Sequence, residues 1–274
     1  MSATFQSKRQ CIVLLIIWWS CFTSSLLIGQ ESPESSSIEN LKVISYNTHG
    51  GHGDVQKNLK AFKNLLQGDE HVLCLQELGP DIWEEVKSIF PEYRYTYKVW
   101  QKTTTPDHEP WLTGGGILSK LPIIEPSEGL IQVDPGGDLW ERRAAFVKLQ
   151  TGPNPETDYI NLSHYHNTYN WDKEDFQSER KGMENYRRFV MKKLEVSSLS
   201  TDKPYIMAGD WNIFVDHVKK VLHDTPHHFG NGRDHHNSNS SMLKTTVIPT
   251  IALDLSDHNA VEVTYDIPVT VMEK

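Results

Sequence analysis

Five apolar runs in this chain each meet an acidic, amide or histidine side chain at one end, and this arrangement constrains the fold more than any other feature. Asn47 closes LKVISYN, Gln76 and Glu77 close VLCLQE, His164 closes YINLSH, Asp210 and Asn212 close YIMAGDWN, and Asp257 and His258 precede NAVEVTY. Strand ends in a layered α/β domain converge on a shared edge, where loops present side chains. Five such ends therefore point to one site. The residue types agree on a chemistry. Carboxylates and amides are hard oxygen ligands suited to Mg²⁺ or Mn²⁺, and two histidines can move protons or stabilise a phosphoryl oxyanion.

The segments between these ends alternate in period. LKVISYN reads as a strand, and DVQKNLKAFKNLLQ sets Val55, Leu59, Phe62 and Leu66 on one helical face behind Asp54 as N-cap. HVLCLQE is the next strand, and Pro80 and Asp81 open a second amphipathic helix through Trp83, Val86 and Phe90. YRYTYKVW, GGILS, LIQV, RRAAFVKLQ and DYINLSHYH follow as strands joined by turns. A long helix is expected from about Lys173 to Val196, its apolar face formed by Phe176, Met183, Tyr186, Val190 and Leu194. PYIMAGD, TTVIPTIAL and AVEVTYDI complete the strands. Strands paired by short turns, together with strands separated by helices, predict mixed sheets covered by helices.

At 274 residues, with 38% apolar and 23% charged residues, the chain suffices for one large α/β domain. Its start differs from the rest. Lys8 and Arg9 precede CIVLLIIWW and a small polar stretch ending in SLLIGQ, the order of a secretory signal cleaved after Gly29. An uncleaved anchor from Cys11 to Ile28 is the lesser alternative. Ser20, Thr23, Ser24 and Ser25 interrupt it, and spanning needs roughly 20 predominantly apolar residues. The expected division is a signal over 1–29, a Ser- and Glu-rich linker over 30–40, one domain over 41–268 and a tail over 269–274, in a secreted or periplasmic protein. Loss of Lys8 and Arg9 takes the formal net charge from −9 to −11. Such a chain gains no long-range steering toward nucleic acid, but a bound metal can supply the local positive charge an enzyme needs. Cys11 and Cys21 leave with the signal, so Cys74 remains as a core residue with no internal disulfide partner.

The SYN, LQE, LSH, GDWN and SDH segments, in this order, resemble the endonuclease/exonuclease/phosphatase superfamily, whose members include pancreatic-type DNases, neutral sphingomyelinases and inositol polyphosphate 5-phosphatases. The resemblance covers nearly the whole mature chain, and it is specific in combination while each segment alone is weak. It implies a DNase I-like four-layer α/β sandwich of two packed mixed sheets flanked by helices, hydrolysing a phosphate ester with Mg²⁺ or Mn²⁺. Carried over residue by residue, it makes Glu77 the principal metal ligand, with Asn47 and Asp257 beside the metal. Asp210 would orient or deprotonate the attacking water. Asn212 would hold a phosphate oxygen, His258 would contact the phosphate, and His164 would act near the leaving or non-bridging oxygen. One of Arg142 or Arg143 would face the phosphate, since alternation lets only one do so; Arg143 is taken as that residue. Relatives carry an aspartate that hydrogen-bonds the final histidine, and Asp234 in GRDHHNSNSS fits it best, although the polar stretch after it shows no strand pattern.

No GxSxG, P-loop or other nucleophile setting is present, so direct attack by water is expected rather than a covalent intermediate. Each residue also has a plainer reading, as turn, cap or surface charge, and the combination is what sets those aside. His166 is secondary to His164, two residues before it. His49 and His52 border the cleft or are solvated. The histidines between His217 and His236 match no metal-ligand spacing and read as loop residues. Trp100 and Trp111 flank a hairpin tip. The leading expectation is an exported phosphodiesterase of the nuclease type, acting as a monomer with no obligate protein partner. Its substrate is a phosphate ester, nucleic acid ahead of phospholipid. A sphingomyelinase-like or inositol-phosphate hydrolase and an inactive binding module with the same fold are the competing readings.

Overall fold

The computed structural model describes residues 38–50, 54–103, 111–133, 141–167 and 177–267. The signal over 1–29, most of the linker, the tail over 269–274, His52, Phe176 and the expected helix start at Lys173 lie outside the described residues, as does the Trp111 side chain.

Strand β1 (Asn40–Asn47) runs parallel to β2 (Val72–Leu78), and helix α1 (Val55–Lys63) makes the crossover. Asp54 caps that helix, its carboxylate accepting from the Lys57 N–H at 2.9 Å, and Lys60 and Lys63 sit in the last turn, where they favour the helix dipole. Val55, Leu59 and Phe62 are buried, each removing apolar surface worth roughly 2 kcal/mol. Pro80–Ile82 form one 3₁₀ turn leading into α2 (Trp83–Ile89). Strands β3 (Tyr95–Thr103) and β4 (Trp111–Ser119) form a hairpin against β2, and β11 (Met242–Ile248) and β12 (Ala260–Asp266) pair beside β1. The first sheet thus has the order β11-β12-β1-β2-β4-β3.

The second sheet repeats the plan. β7 (Tyr159–Tyr165) and β8 (Tyr205–Asp210) are its parallel pair, connected through α3 (Gln177–Leu194). β5 (Ile123–Val133) and β6 (Glu141–Gln150) flank β7, and β9 (His227–Asn231) and β10 (Asp234–Ser238) flank β8, giving β5-β6-β7-β8-β10-β9. A short helix, α4 (Val215–Val221), follows β8.

Three apolar clusters define four layers. Val43, Cys74, Ile117, Val147, Leu162 and Ile206 pack between the sheets, so Cys74 is the core residue it was read to be. α1 and α2 cover the outer face of the first sheet through Leu59, Phe62, Trp83 and Val86. α3 and α4 cover the second through Met183, Tyr186, Val190 and Val218. This is the expected α/β sandwich. Two elements depart from expectation. The predicted TTVIPTIAL strand begins earlier and stops at Ile248, where Pro249 cannot donate to a ladder, and Thr250–Leu255 form a turn instead. The histidine-rich stretch, read as loop, contains the β9–β10 hairpin.

Candidate active site

The two parallel pairs end at the same edge. β1 delivers Asn47, β2 delivers Glu77, β7 leads into His166 and Asn167, and β8 ends on Asp210. Local backbone features aim these groups. Glu77 is the extra residue of a bulge, since Gln76 pairs with Gly115 and Leu78 with Gly114, and its φ is 58°. A bulge re-aims a side chain that regular pleating would direct elsewhere. His49 and Asn212 share this left-handed conformation, with φ of 52° and 51°. Strained residues of this kind persist where surrounding structure fixes them. At Gly209 a Cβ would lie 1.9 Å from the Tyr165 carbonyl oxygen, so only glycine lets β8 approach the end of β7 there.

Asp210 is the centre of the site and is buried. Its Oδ2 accepts from Asn47 Nδ2 at 2.9 Å and lies 3.7 Å from His166 Nε2 and 3.6 Å from His258 Nε2. Its Oδ1 accepts from the Asn212 N–H at 2.9 Å. Burial would raise its pKa, but His258, His166 and these donors together hold it below the ordinary carboxylate value. His258 Nδ1 lies 2.7 Å from Asp234 Oδ2, which is the hydrogen bond expected from the sequence. A carboxylate only accepts, so Nδ1 carries the proton and Nε2 faces the cleft. Burial opposes a charge on His258, but Asp210, Asp234 and Asp257 raise its pKa. Burial in turn drives the Asp234 carboxyl upward.

Asn212 is buried, its Nδ2 donating to the Asn167 carbonyl at 3.0 Å. Asn167 itself is a hub: its side chain donates to the Glu179 and Trp211 carbonyls and accepts from the Tyr165 hydroxyl. Asp257 is half-exposed, 3.4 Å from His49 Nδ1. Ser256 Oγ ties this loop to β1 by donating to the Asn47 carbonyl at 2.8 Å.

Three expectations need correction. His164 does not reach the cleft. It is buried between the sheets beside Gln76 and Gly115, while His166, one step further along the chain direction, faces both Glu77 Oε1 and Asp210 Oδ2 at 3.7 Å. Both rings point to the same side, as alternation requires, but only the outer one emerges from the core. Burial lowers the His166 pKa, with Asp210 and Glu77 pulling against it. Arg143 points away: its guanidinium pairs with Glu141 at 2.9 Å and Glu128 at 2.7 Å. Arg142 is the buried one of the two, held by the Lys102 and Glu141 carbonyls and close enough to feel the charges of Glu77 and Asp210. Asn47 does not present a ligand oxygen. Its Oδ1 accepts from the His49 backbone N–H, so its amide nitrogen faces Glu77 Oε1 at 3.0 Å as well as Asp210. Neither carboxylate can donate, which fixes this orientation chemically.

The donor set fits a hard divalent cation. Glu77 and Asp257 are the partly exposed carboxylates of the cleft, and none of the described ion pairs joins either to a lysine or arginine. Asp210, Asp234 and His258 also bring ligand atoms within 4.8 Å of one another, but the His258 Nδ1 proton is committed to Asp234.

A model of the endonuclease/exonuclease/phosphatase family matches residues 44–258. Among solved structures, D. rerio TDP2 in complex with a single-strand DNA product superposes with a TM-score of 0.59 at 15% identity, over 83% of this chain and 99% of that one. A Bacteroides thetaiotaomicron endonuclease/exonuclease/phosphatase family protein gives 0.58 at 14% identity, over 87% and 99%. The human Nocturnin catalytic domain with bound sulfate gives 0.58 at 11% identity, over 85% and 97%. No curated protein matches the chain in sequence.

Proposed function

The chain belongs to the endonuclease/exonuclease/phosphatase family, a family of metal-dependent phosphoester hydrolases, and we propose on that footing that it is an exported phosphodiesterase of the nuclease type. The observation that carries the reading is the convergence of Asn47, His166 and His258 on the buried Asp210, with Asp234 behind His258. Asp210, held ionised, orients the attacking water and takes its proton. His258, with Nδ1 fixed by Asp234, directs a charged Nε2–H at a non-bridging phosphate oxygen. Asn212 and His166 donate to the remaining oxygens, and Arg142 adds positive potential from below. Mg²⁺ or Mn²⁺, held by Glu77 with Asp257, supplies charge neutralisation at the phosphate when bound. Asn47 serves this set indirectly, by fixing Glu77 relative to Asp210.

Nucleic acid is the first substrate class, in keeping with the DNA product seen with the D. rerio relative. A phospholipid is the second, and one observation favours it. Phe214, just after Asp210 and Asn212, and Ile251 and Leu253, in the turn that precedes Asp257, are exposed, and apolar side chains beside a cleft suit a lipid interface. The purified mature protein should hydrolyse one of DNA, RNA, sphingomyelin or inositol phosphates with Mg²⁺ or Mn²⁺ and lose that activity to chelator. Full activity in chelator would remove the mechanism, and activity confined to sphingomyelin would transfer the assignment to the second class.

A further inference from the structure

We infer that His164 is a positioning residue that locks the two sheets together one layer beneath the cleft, through Gln76, and thereby sets the spacing between Glu77 and His166. Its consequence for catalysis rests on the phosphoesterase reading above; its geometry does not. Gln76 Nε2 lies 3.0 Å from the Cys74 carbonyl oxygen, 3.1 Å from Ser45 Oγ and 2.7 Å from His164 Nε2. A carbonyl can only accept, so the amide nitrogen and not its oxygen faces that side. An amide nitrogen has no lone pair to offer, so His164 Nε2 must be the acceptor. The ring is therefore neutral with its proton on Nδ1. Burial agrees, pushing the His164 pKa down to about 3.

The ring is held from a second direction. A Cβ at Gly115 would lie 2.5 Å from His164 Cε1 and 3.0 Å from Nδ1, so β4 has been left without a side chain where the ring enters. Gly115 also pairs directly with Gln76, so the two restraints act at one level of the sheet. Around this point the contact between sheets is apolar, and apolar contacts are non-directional. A hydrogen bond fixes direction and distance. His236–Tyr265 crosses between β10 and β12, and Asn47–Asp210 and Asp234–His258 also cross between the sheets but consist of groups of the cleft itself. Gln76–His164 lies below them, sealed from solvent. Glu77 is the next residue after Gln76, and His166 follows His164 by two, so slack in this bond is transmitted to the 3.7 Å gap between Glu77 and His166.

The test separates an acceptor from mere bulk. His164→Leu keeps the volume and loses the acceptor, while His164→Gln keeps an acceptor oxygen. With bis(4-nitrophenyl) phosphate and Mg²⁺ or Mn²⁺, His164→Leu should lower kcat by about 10-fold with KM little changed, since small misplacements of reacting groups act on the chemical step. His164→Gln should recover most of that loss at a similar melting temperature. Gly115→Ala, which pushes the ring from the other sheet, should reproduce the loss. Wild-type kcat in His164→Leu, or equal impairment of the Gln and Leu variants, would overturn the inference. Ring ¹⁵N shifts of the wild-type protein should show the Nδ1–H tautomer at His164, and an Nε2–H tautomer would equally overturn it. If the wild-type protein hydrolyses no phosphodiester, the functional reading falls, while the tautomer measurement still decides the bond.

Discussion

The two sheets share one plan, a central parallel pair flanked on both sides by antiparallel strands, yet they hold the carboxylates at the end of that pair in opposite ways. Glu77, on the first sheet, stands on a bulge, and its side chain keeps 27% exposure. Asp210 and Asp234, on the second, are sealed at 1% and 2%, each tied to named donors. A carboxylate that must bind and release a cation has to stay accessible, whereas one that positions a proton benefits from burial and fixed partners. On the proposed mechanism the difference separates the carboxylates: Glu77, on the first sheet, holds the cation, and Asp210 and Asp234, on the second, orient the water and His258.

Breaking the open side should have the largest effect. Glu77→Gln keeps shape and the Asn47 contact but removes the charge, and it should lower turnover by about 10³-fold with no loss of melting temperature. Raising the Mg²⁺ or Mn²⁺ concentration should restore part of that loss, which separates weakened metal binding from a defect in chemistry. Undiminished turnover at limiting metal would erase the distinction between the two sheets.

On the buried side, Asp210→Asn and His258→Ala should each cost about 10²-fold in kcat, and added metal should not restore it. The double variant should lose less than the product of the single losses, because both groups serve one step. Multiplicative losses would mean that they act separately.

The same contrast explains what could be read from the sequence. β2 is buried and apolar, VLCLQ, so its course and its acidic end were legible. β10 is buried along its whole length but reads DHHNS, a composition that resembles a loop. It holds as a strand because each of its side chains finds at least one partner, although Asp234 Oδ1, His236 Nε2 and Asn237 Nδ2 are buried without one. Asp234 bonds His258, His235 bonds the Ile213 carbonyl, and His236 bonds the Tyr265 hydroxyl; Asn237 accepts from Thr225, and Ser238 donates to the Tyr205 carbonyl. Those partners come from five other segments, which periodicity cannot reveal. His164 and His166 were interchanged for a related reason. Alternation gave their common side correctly, but how far each reaches out of the core depends on where the opposite sheet ends. Arg142 and Arg143 differ by a face, and the choice between faces was set by Glu128 and Glu141.

Asp234→Asn tests how much of the buried side depends on this hidden strand. The amide can turn its oxygen to accept from His258 Nδ1, but it no longer carries the charge that favours an imidazolium. The loss should be about 10-fold, smaller than that of His258→Ala. A loss as large as that of His258→Ala would place Asp234 at the reacting atoms instead of behind the histidine.

The smallest effect concerns stability and its dependence on pH. His236 is fully buried, and burial pushes its pKa down to about 3, against an ordinary value of about 6.5 when unfolded. Between those values the unfolded chain binds a proton that the folded chain does not. The contribution of His236 is therefore intact above about pH 6.5 and declines as pH falls toward 3, by about 1.4 kcal/mol per pH unit. β2 contains no histidine. His236→Gln keeps a partner for the Tyr265 hydroxyl, 2.8 Å from His236 Nδ1, and removes the titration. Urea unfolding in chelator should show similar stability for wild type and variant at pH 7. At pH 5 the variant should be the more stable by about 2 kcal/mol. His235 is also buried and also pushed down to about 3, so wild type should retain an acid slope after this one substitution, lessened by one proton. Parallel profiles for the two proteins would mean that His236 gains its proton in the folded state, and that the second sheet is not sealed at β10.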